Sequence, residues 1–152
     1  MFHAGACSGS RICTLKGCRF RAQFEAPIAA EDGDVIVVQA CQNAACAETR
    51  LTLSSGCPAC GPACDLQASG ASCGVDKQGE GGAWRLVLVW PGSGEEDATD
   101  GDTYLARVTR DTDGEVLLET EEQVTYATEY PNGPDCQESP CRFVDQGAFS
   151  SP

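Results

Sequence analysis

The chain has 152 residues and carries ten basic against 23 acidic side chains, a formal net charge of −13. A surface of that sign repels a phosphate backbone and an anionic bilayer, which argues against nucleic acid or acidic lipid as a partner. The hydrophobic content of 41% is that of a folding chain, and no run of 18 apolar residues is present to cross a membrane as a helix. A length of 152 residues suits one domain that buries about 70% of its unfolded surface.

Eleven cysteines accompany a single Met and a single His. A cytosolic protein needs a metal or redox reason to keep so many thiols, whereas an exported one uses them as bridges. Residues 1–12 read as a leader. Met1-Phe2-His3-Ala4-Gly5-Ala6-Cys7 has neither a charged n-region nor an apolar h-region. Its small residues before Cys7 are nevertheless of the kind that precede a lipidated cysteine. The expectation is a shortened or processed precursor with Cys7 as lipid anchor. Ten cysteines then remain for five bridges: Cys13, Cys18, Cys41, Cys46, Cys57, Cys60, Cys64, Cys73, Cys136 and Cys141.

A single domain is expected over residues 13–145, with 146–152 as a tail. Cys18, Phe20, Ala22 and Phe24 alternate with Arg19, Arg21, Gln23 and Glu25, the period of a half-buried strand, which Pro27 is expected to break. Asp34 to Cys41 reads as a more continuously apolar strand. Gln42-Asn43-Ala44-Ala45 then forms a short loop, and Cys46 to Leu53 returns with Thr49, Leu51 and Leu53 alternating. Cys41 and Cys46 flank that loop and either face each other across it or reach elsewhere.

Ser54 to Gly82 contains four cysteines and seven glycines with almost no large apolar residue, and reads as a long inserted loop that needs stapling. WRLVLVW, Trp84 to Trp90, presents Trp84, Leu86, Leu88 and Trp90 on one face and belongs in the middle of a sheet. Gly92 to Asp102 is acidic, glycine-rich and expected on the surface. Tyr104 to Tyr126 reads as a hairpin around Asp111-Thr112-Asp113-Gly114, closing with a bulge. Tyr104, Ala106 and Val108 face one way, and Val116, Leu118, Val124 and Tyr126 return on the same period, with glutamates opposite. The remainder, through Cys136 and Cys141, has little strand character.

Six to eight short antiparallel strands with turn signals between them give an all-β, immunoglobulin-like two-sheet sandwich, disulfide-rich, with a long Cys/Gly-rich loop. Asp100-Gly101-Asp102-Thr103-Tyr104-Leu105-Ala106 resembles the tyrosine corner of such folds, with Ala106 where antibody domains place a cysteine.

Cys57-Pro58-Ala59-Cys60-Gly61 matches a zinc-ribbon knuckle, and Cys64 and Cys73 complete a possible ligand set. The spacing does not repeat a second CxxC, so structural disulfides are the preferred reading and Zn the alternative. A thioredoxin-type role fits poorly, because Gly61 and Pro62 oppose the helix such a thiol needs. Asp97, Asp100 and Asp102, or Asp111 and Asp113, offer oxygens for Ca, although Asp-Gly is ordinary turn chemistry. His3 is the only histidine and lies in the leader, so triad hydrolysis has no base and no enzyme is expected.

Two segments together resemble an uncharacterised group of exported bacterial surface lipoproteins. They are Cys13-Thr14-Leu15-Lys16-Gly17-Cys18 ahead of an alternating strand, and Tyr130-Pro131-Asn132-Gly133-Pro134-Asp135-Cys136 with Cys141 after it. The resemblance implies export and a sandwich but no activity; the Cys57 to Cys73 stretch is not part of it. It also implies that Cys13 and Cys18 bridge locally or to Cys136 and Cys141. The expected role is a non-catalytic binding or structural module, extracellular or on the outer surface of a bacterium, with the periplasm as the other compartment. Its partners would be protein or glycan, reached by loops at one end, the Cys57–Cys73 loop first. The alternatives are a metal-binding module and a subunit that polymerises through an uncovered strand edge.

Overall fold

A computed structural model describes residues 21–54, 64–77, 82–91, 98–133, 135 and 141–144. The leader, the tail, the Cys-Pro-Ala-Cys motif, Asp97 and the cysteines at 7, 13, 18, 57, 60 and 136 lie outside the described residues. Nine strands are present among them: β1 Ala22–Ile28, β2 Val35–Gln42, β3 Ala45–Thr52, β4 Ser72–Lys77, β5 Trp84–Trp90, β6 Thr103–Arg110, β7 Val116–Gln123, β8 Tyr126–Glu129 and β9 Cys141–Val144. No helix is long and apolar enough to cross a membrane among the described residues.

Two antiparallel sheets stack, one in the order β1-β5-β4 and the other β3-β2-β6-β7, with β8-β9 as a small third sheet. Those orders correspond to the B-E-D and C′-C-F-G sheets of an immunoglobulin-like sandwich. The A position is not represented among the described residues.

The core follows from the alternation. Ala22, Phe24, Ala26 and Ile28 of β1, Ile36, Val38 and Ala40 of β2, and Trp84, Leu86, Leu88 and Trp90 of β5 all turn inward and are buried. Each fully buried leucine contributes about 1.5–3 kcal/mol relative to exposure. β5 is the central strand of its sheet, as its apolar run requires. Ala106 is fully buried, so the site of an antibody-type cysteine is apolar core.

Several elements differ from the sequence expectation. β1 runs through Pro27 to Ile28 because β1 is an edge strand among the described residues, and an edge tolerates a missing N–H. The β2–β3 connection is two residues, Asn43 and Ala44, with Asn43 in the left-handed region at φ 56°. The β6–β7 hairpin has its expected irregularity, a register shift at Val108/Thr109, and its turn ends on Gly114 at φ 72°. The return strand, however, stops at Gln123, and Tyr126 opens β8. Val116, expected inside, is 45% exposed as the first residue of β7, an edge strand among the described residues.

The largest difference is in the 54–82 stretch. It contains a short 3-10 helix, Gln67–Ser69, and β4, which pairs along β5 from Ser72↔Val89 to Lys77↔Trp84. Leu66, Ala71 and Val75 are buried in the core. Small residues hide this strand from a hydrophobicity reading; its partner β5 supplies the apolar surface. Likewise the C-terminal stretch holds β9, whose Val144 N–H donates to Arg21 O at 2.7 Å and binds it to the start of β1.

Candidate functional site

The sandwich has two unlike ends. At one end β1 and β6 begin and β2 and β5 finish: Ala22 pairs with Trp90, and Gln42 with Tyr104. The Trp90 and Tyr104 rings meet edge to face at 4.8 Å across the sheets. There Arg21 and Asp102, of opposite charge, are both buried and joined through neutral groups. Arg21 Nε donates to Tyr104 Oη at 3.3 Å, and the Tyr104 and Tyr126 hydroxyls lie 2.6 Å apart. Tyr126 Oη donates to Asp102 Oδ2 at 2.7 Å, which leaves Tyr104 to donate to Tyr126. A second arm runs from Arg21 Nη2 to Gln42 Oε1 at 2.7 Å and from Gln42 Nε2 to Asp102 Oδ2 at 3.3 Å. Asn43 Nδ2 and Thr99 N–H complete the carboxylate's donors.

Burial pushes the Asp102 carboxyl upward, but the bonds from Asn43, Thr99, Tyr126 and Gln42 outweigh it and hold it below the usual carboxylate range. Burial raises the Tyr104 hydroxyl. Burial, the bond with Tyr104 and the Asp102 charge raise Tyr126 further. Neither tyrosine ionises near neutrality, and Asp102 has no base-like pKa. The cluster is a buried clasp, and its chemistry is structural. For the tyrosine corner this means that the link back to the loop before β6 runs from Tyr104 through Tyr126 to Asp102.

Disulfides reinforce the same end. Cys41 and Cys46 face each other directly across β2 and β3 and are bonded, with Cα atoms 4.1 Å apart. Cys64 and Cys73 are bonded, Cα–Cα 5.4 Å, and fasten the segment before the 3-10 helix to β4. Cys141 is disulfide-bonded to a cysteine outside the described residues. Two of the four sulfurs of the zinc alternative are thus committed to each other, while Cys57 and Cys60 lie outside the described residues. The acidic turns are similarly engaged. Asp100 Oδ1 accepts from Tyr126 N–H and Arg142 Nη2, Asp111 pairs with Arg50, and Asp113 with Arg110. No cluster of three or more metal-ligating side chains is present among the described residues.

At the other end β1 finishes, β7 begins, and the turns are held by polar contacts. Asp32 accepts from Trp84 Nε1 at 2.9 Å and pairs with Lys77. Arg110 bonds Glu115, Asp34 and Asp113. Between β1 and β7 an open cleft of about 470 Å³ is lined by residues 27–29, Ala83 and residues 116–119. Its walls are mostly apolar, and the exposed Val116 is one of its lining residues. Sequence reading missed this cleft, because it depends on β1 lying over β7 and no local pattern encodes that. In the Cys57–Cys73 loop, singled out as the contact surface, the described residues 64–73 bury Leu66, Ser69 and Ala71 and leave Asp65, Gln67, Ala68, Gly70 and Ser72 exposed. No protein-family model, curated protein or solved structure matches the chain.

Proposed function

We propose a non-catalytic, disulfide-stapled binding or structural module that works outside the cytoplasm, displayed on or released from a bacterial surface. The observation that supports it is the contrast between the ends: one clasped, the other open as an apolar cleft between two strands that are edges among the described residues. Loops and edges on a rigid scaffold are where recognition concentrates. Catalysis has no support in the clasp, whose charged and phenolic groups are consumed by one another. All five cysteines among the described residues are disulfide-bonded, which fits an oxidising compartment. Lipid attachment at Cys7, as in the surface lipoproteins the termini resemble, belongs to the same reading.

The test is a peptide and glycan array probed with the full chain and with Val116→Asp. Ligands that bind the former and not the latter are expected. An array on which both proteins behave alike counts against the cleft. Denaturing thiol titration bears on compartment: zero or one free thiol is expected, and four free thiols would support zinc.

A further inference from the structure

We propose that the Cys41–Cys46 bridge is a thiol-exchange site, at which an external thiol of neutral or positive charge is captured reversibly on Cys46.

The five bonded cysteines of the described residues are not alike. Cys141 is fully buried, and Cys64 and Cys73 pack against the hydrophobic core. Of the five, only Cys46 is exposed, on β3, an edge strand among the described residues. Its partner Cys41 is buried on β2, with β6 beyond it, where Cys41 pairs with Leu105. A thiolate approaches a disulfide sulfur along the line of the bond it breaks, from the side away from the leaving sulfur. At Cys46 that approach comes from outside β3; at Cys41 it runs into β6. Access of this kind decides which sulfur is attacked, and exposure separates labile bridges from resistant ones.

The fold also tolerates opening here. β2 and β3 pair at every position from Val35↔Thr52 to Gln42↔Ala45, and β6 holds the other side of β2. The hairpin is therefore zipped without its sulfur bond, and the two cysteines stay opposite each other once it breaks. The incoming thiolate bonds to Cys46 Sγ while the Cys41–Cys46 bond breaks. Its electron pair leaves on Cys41 Sγ, which takes a proton from water; the incoming sulfur is oxidised and Cys41 reduced. Cys41 then closes the bond again by expelling the same thiol. Charge sets the class of that thiol. Glu48 is exposed two residues along the same face as Cys46, and Glu121 lies in the same row of the sheet, across Leu105. Arg50 and Arg107, the arginines of that face, are paired with Asp111 and Glu119. With the net charge of −13 this repels an anionic thiol.

The experiment incubates the full native chain with cysteamine, 2-mercaptoethanol or 2-mercaptoethanesulfonate at equal thiolate concentration. An acid quench, maleimide blocking of free thiols and mass spectrometry then locate the adducts. Cys46 is expected to gain its adduct at least about tenfold faster than Cys41, Cys64 or Cys73, with tryptophan fluorescence unchanged. The sulfonate is expected to react at least about threefold more slowly than the other two at low salt, a gap that closes at high salt. Cys41→Ser, loaded on Cys46 with cystamine, should keep its adduct after the reagent is removed, whereas the unmodified chain should shed it. Adducts that reach Cys64 or Cys73 first, that fall on Cys41, or that form only as the native fluorescence is lost overturn the proposal. So do the absence of any Cys46 adduct at millimolar thiol, equal rates for all three reagents, and an unmodified chain that keeps its adduct as Cys41→Ser does.

Discussion

The two ends of this sandwich solve the same problem, closing a stack of sheets, with different chemistry. At the clasped end a buried arginine and a buried aspartate are joined through two tyrosines and a glutamine, with two disulfides alongside. At the turn end the contacts are exposed or half-exposed ion pairs and a positive-φ glycine, and the sheets part to form a cleft. Exposed pairs contribute little because water competes for them; buried ones are costly to break because nothing replaces a lost partner. The difference teaches that one end is closed by buried polar groups and the other is left open, which is the contrast the proposed binding role draws on.

The comparison breaks most directly at Asp102. Replacing it with Ala strips the acceptor from Tyr126, Asn43, Gln42 and Thr99 N–H and removes the carboxylate to which Arg21 is linked through Tyr104, Tyr126 and Gln42. Denaturant titration should record a loss of about 3–5 kcal/mol. The same carboxylate carries a pH dependence. Its folded pKa is depressed, so its stabilisation is complete above the unfolded value of about 3.9 and disappears as pH falls through the lower folded value. Acid titration followed by tyrosine fluorescence should show this slope below about pH 4, and Asp102→Asn should lack it.

Removing the Cys64–Cys73 bridge by paired serine substitution should cost about 2–3 kcal/mol, the chain-entropy expectation for a loop of this size. Hydrogen exchange should rise in β4 before β2. At the turn end the effects shrink. Asp32→Ala, which frees Trp84 Nε1 and Lys77, should cost about 1 kcal/mol. Gly114→Ala should cost a similar amount, about 1 kcal/mol, through its left-handed backbone rather than through crowding, since no atom lies within 4 Å of the added Cβ. Val116→Asp should shift stability by less than about 0.5 kcal/mol while weakening peptide binding. A large stability loss there would mean that Val116 belongs to the core and that the two ends are not so different.

Much of the architecture was readable from local pattern. The inward faces of β1, β5 and β6 follow from strict alternation, and Gly114 and the short β2–β3 connection follow from turn chemistry. Cys41 opposite Cys46 was one of two readings of their spacing. β4 was not readable: Ser72, Cys73, Gly74 and Val75 carry too little apolar surface to signal a strand, and β5 alone makes them one. Nor was the clasp, since Arg21, Gln42, Asp102 and Tyr126 are scattered over more than 100 residues. Each alone resembles an ordinary solvated polar residue or a sheet tyrosine.

From the chain itself come most of its strands, their faces, its covalent character and its acidity, because these depend on neighbours one to four positions away and on composition. Which strands become edges, which polar groups are buried together and where the sheets fail to close were decided by tertiary packing. Those features depend on distances between residues that share no local pattern, and the cleft between β1 and β7 exists only once the two sheets have stacked.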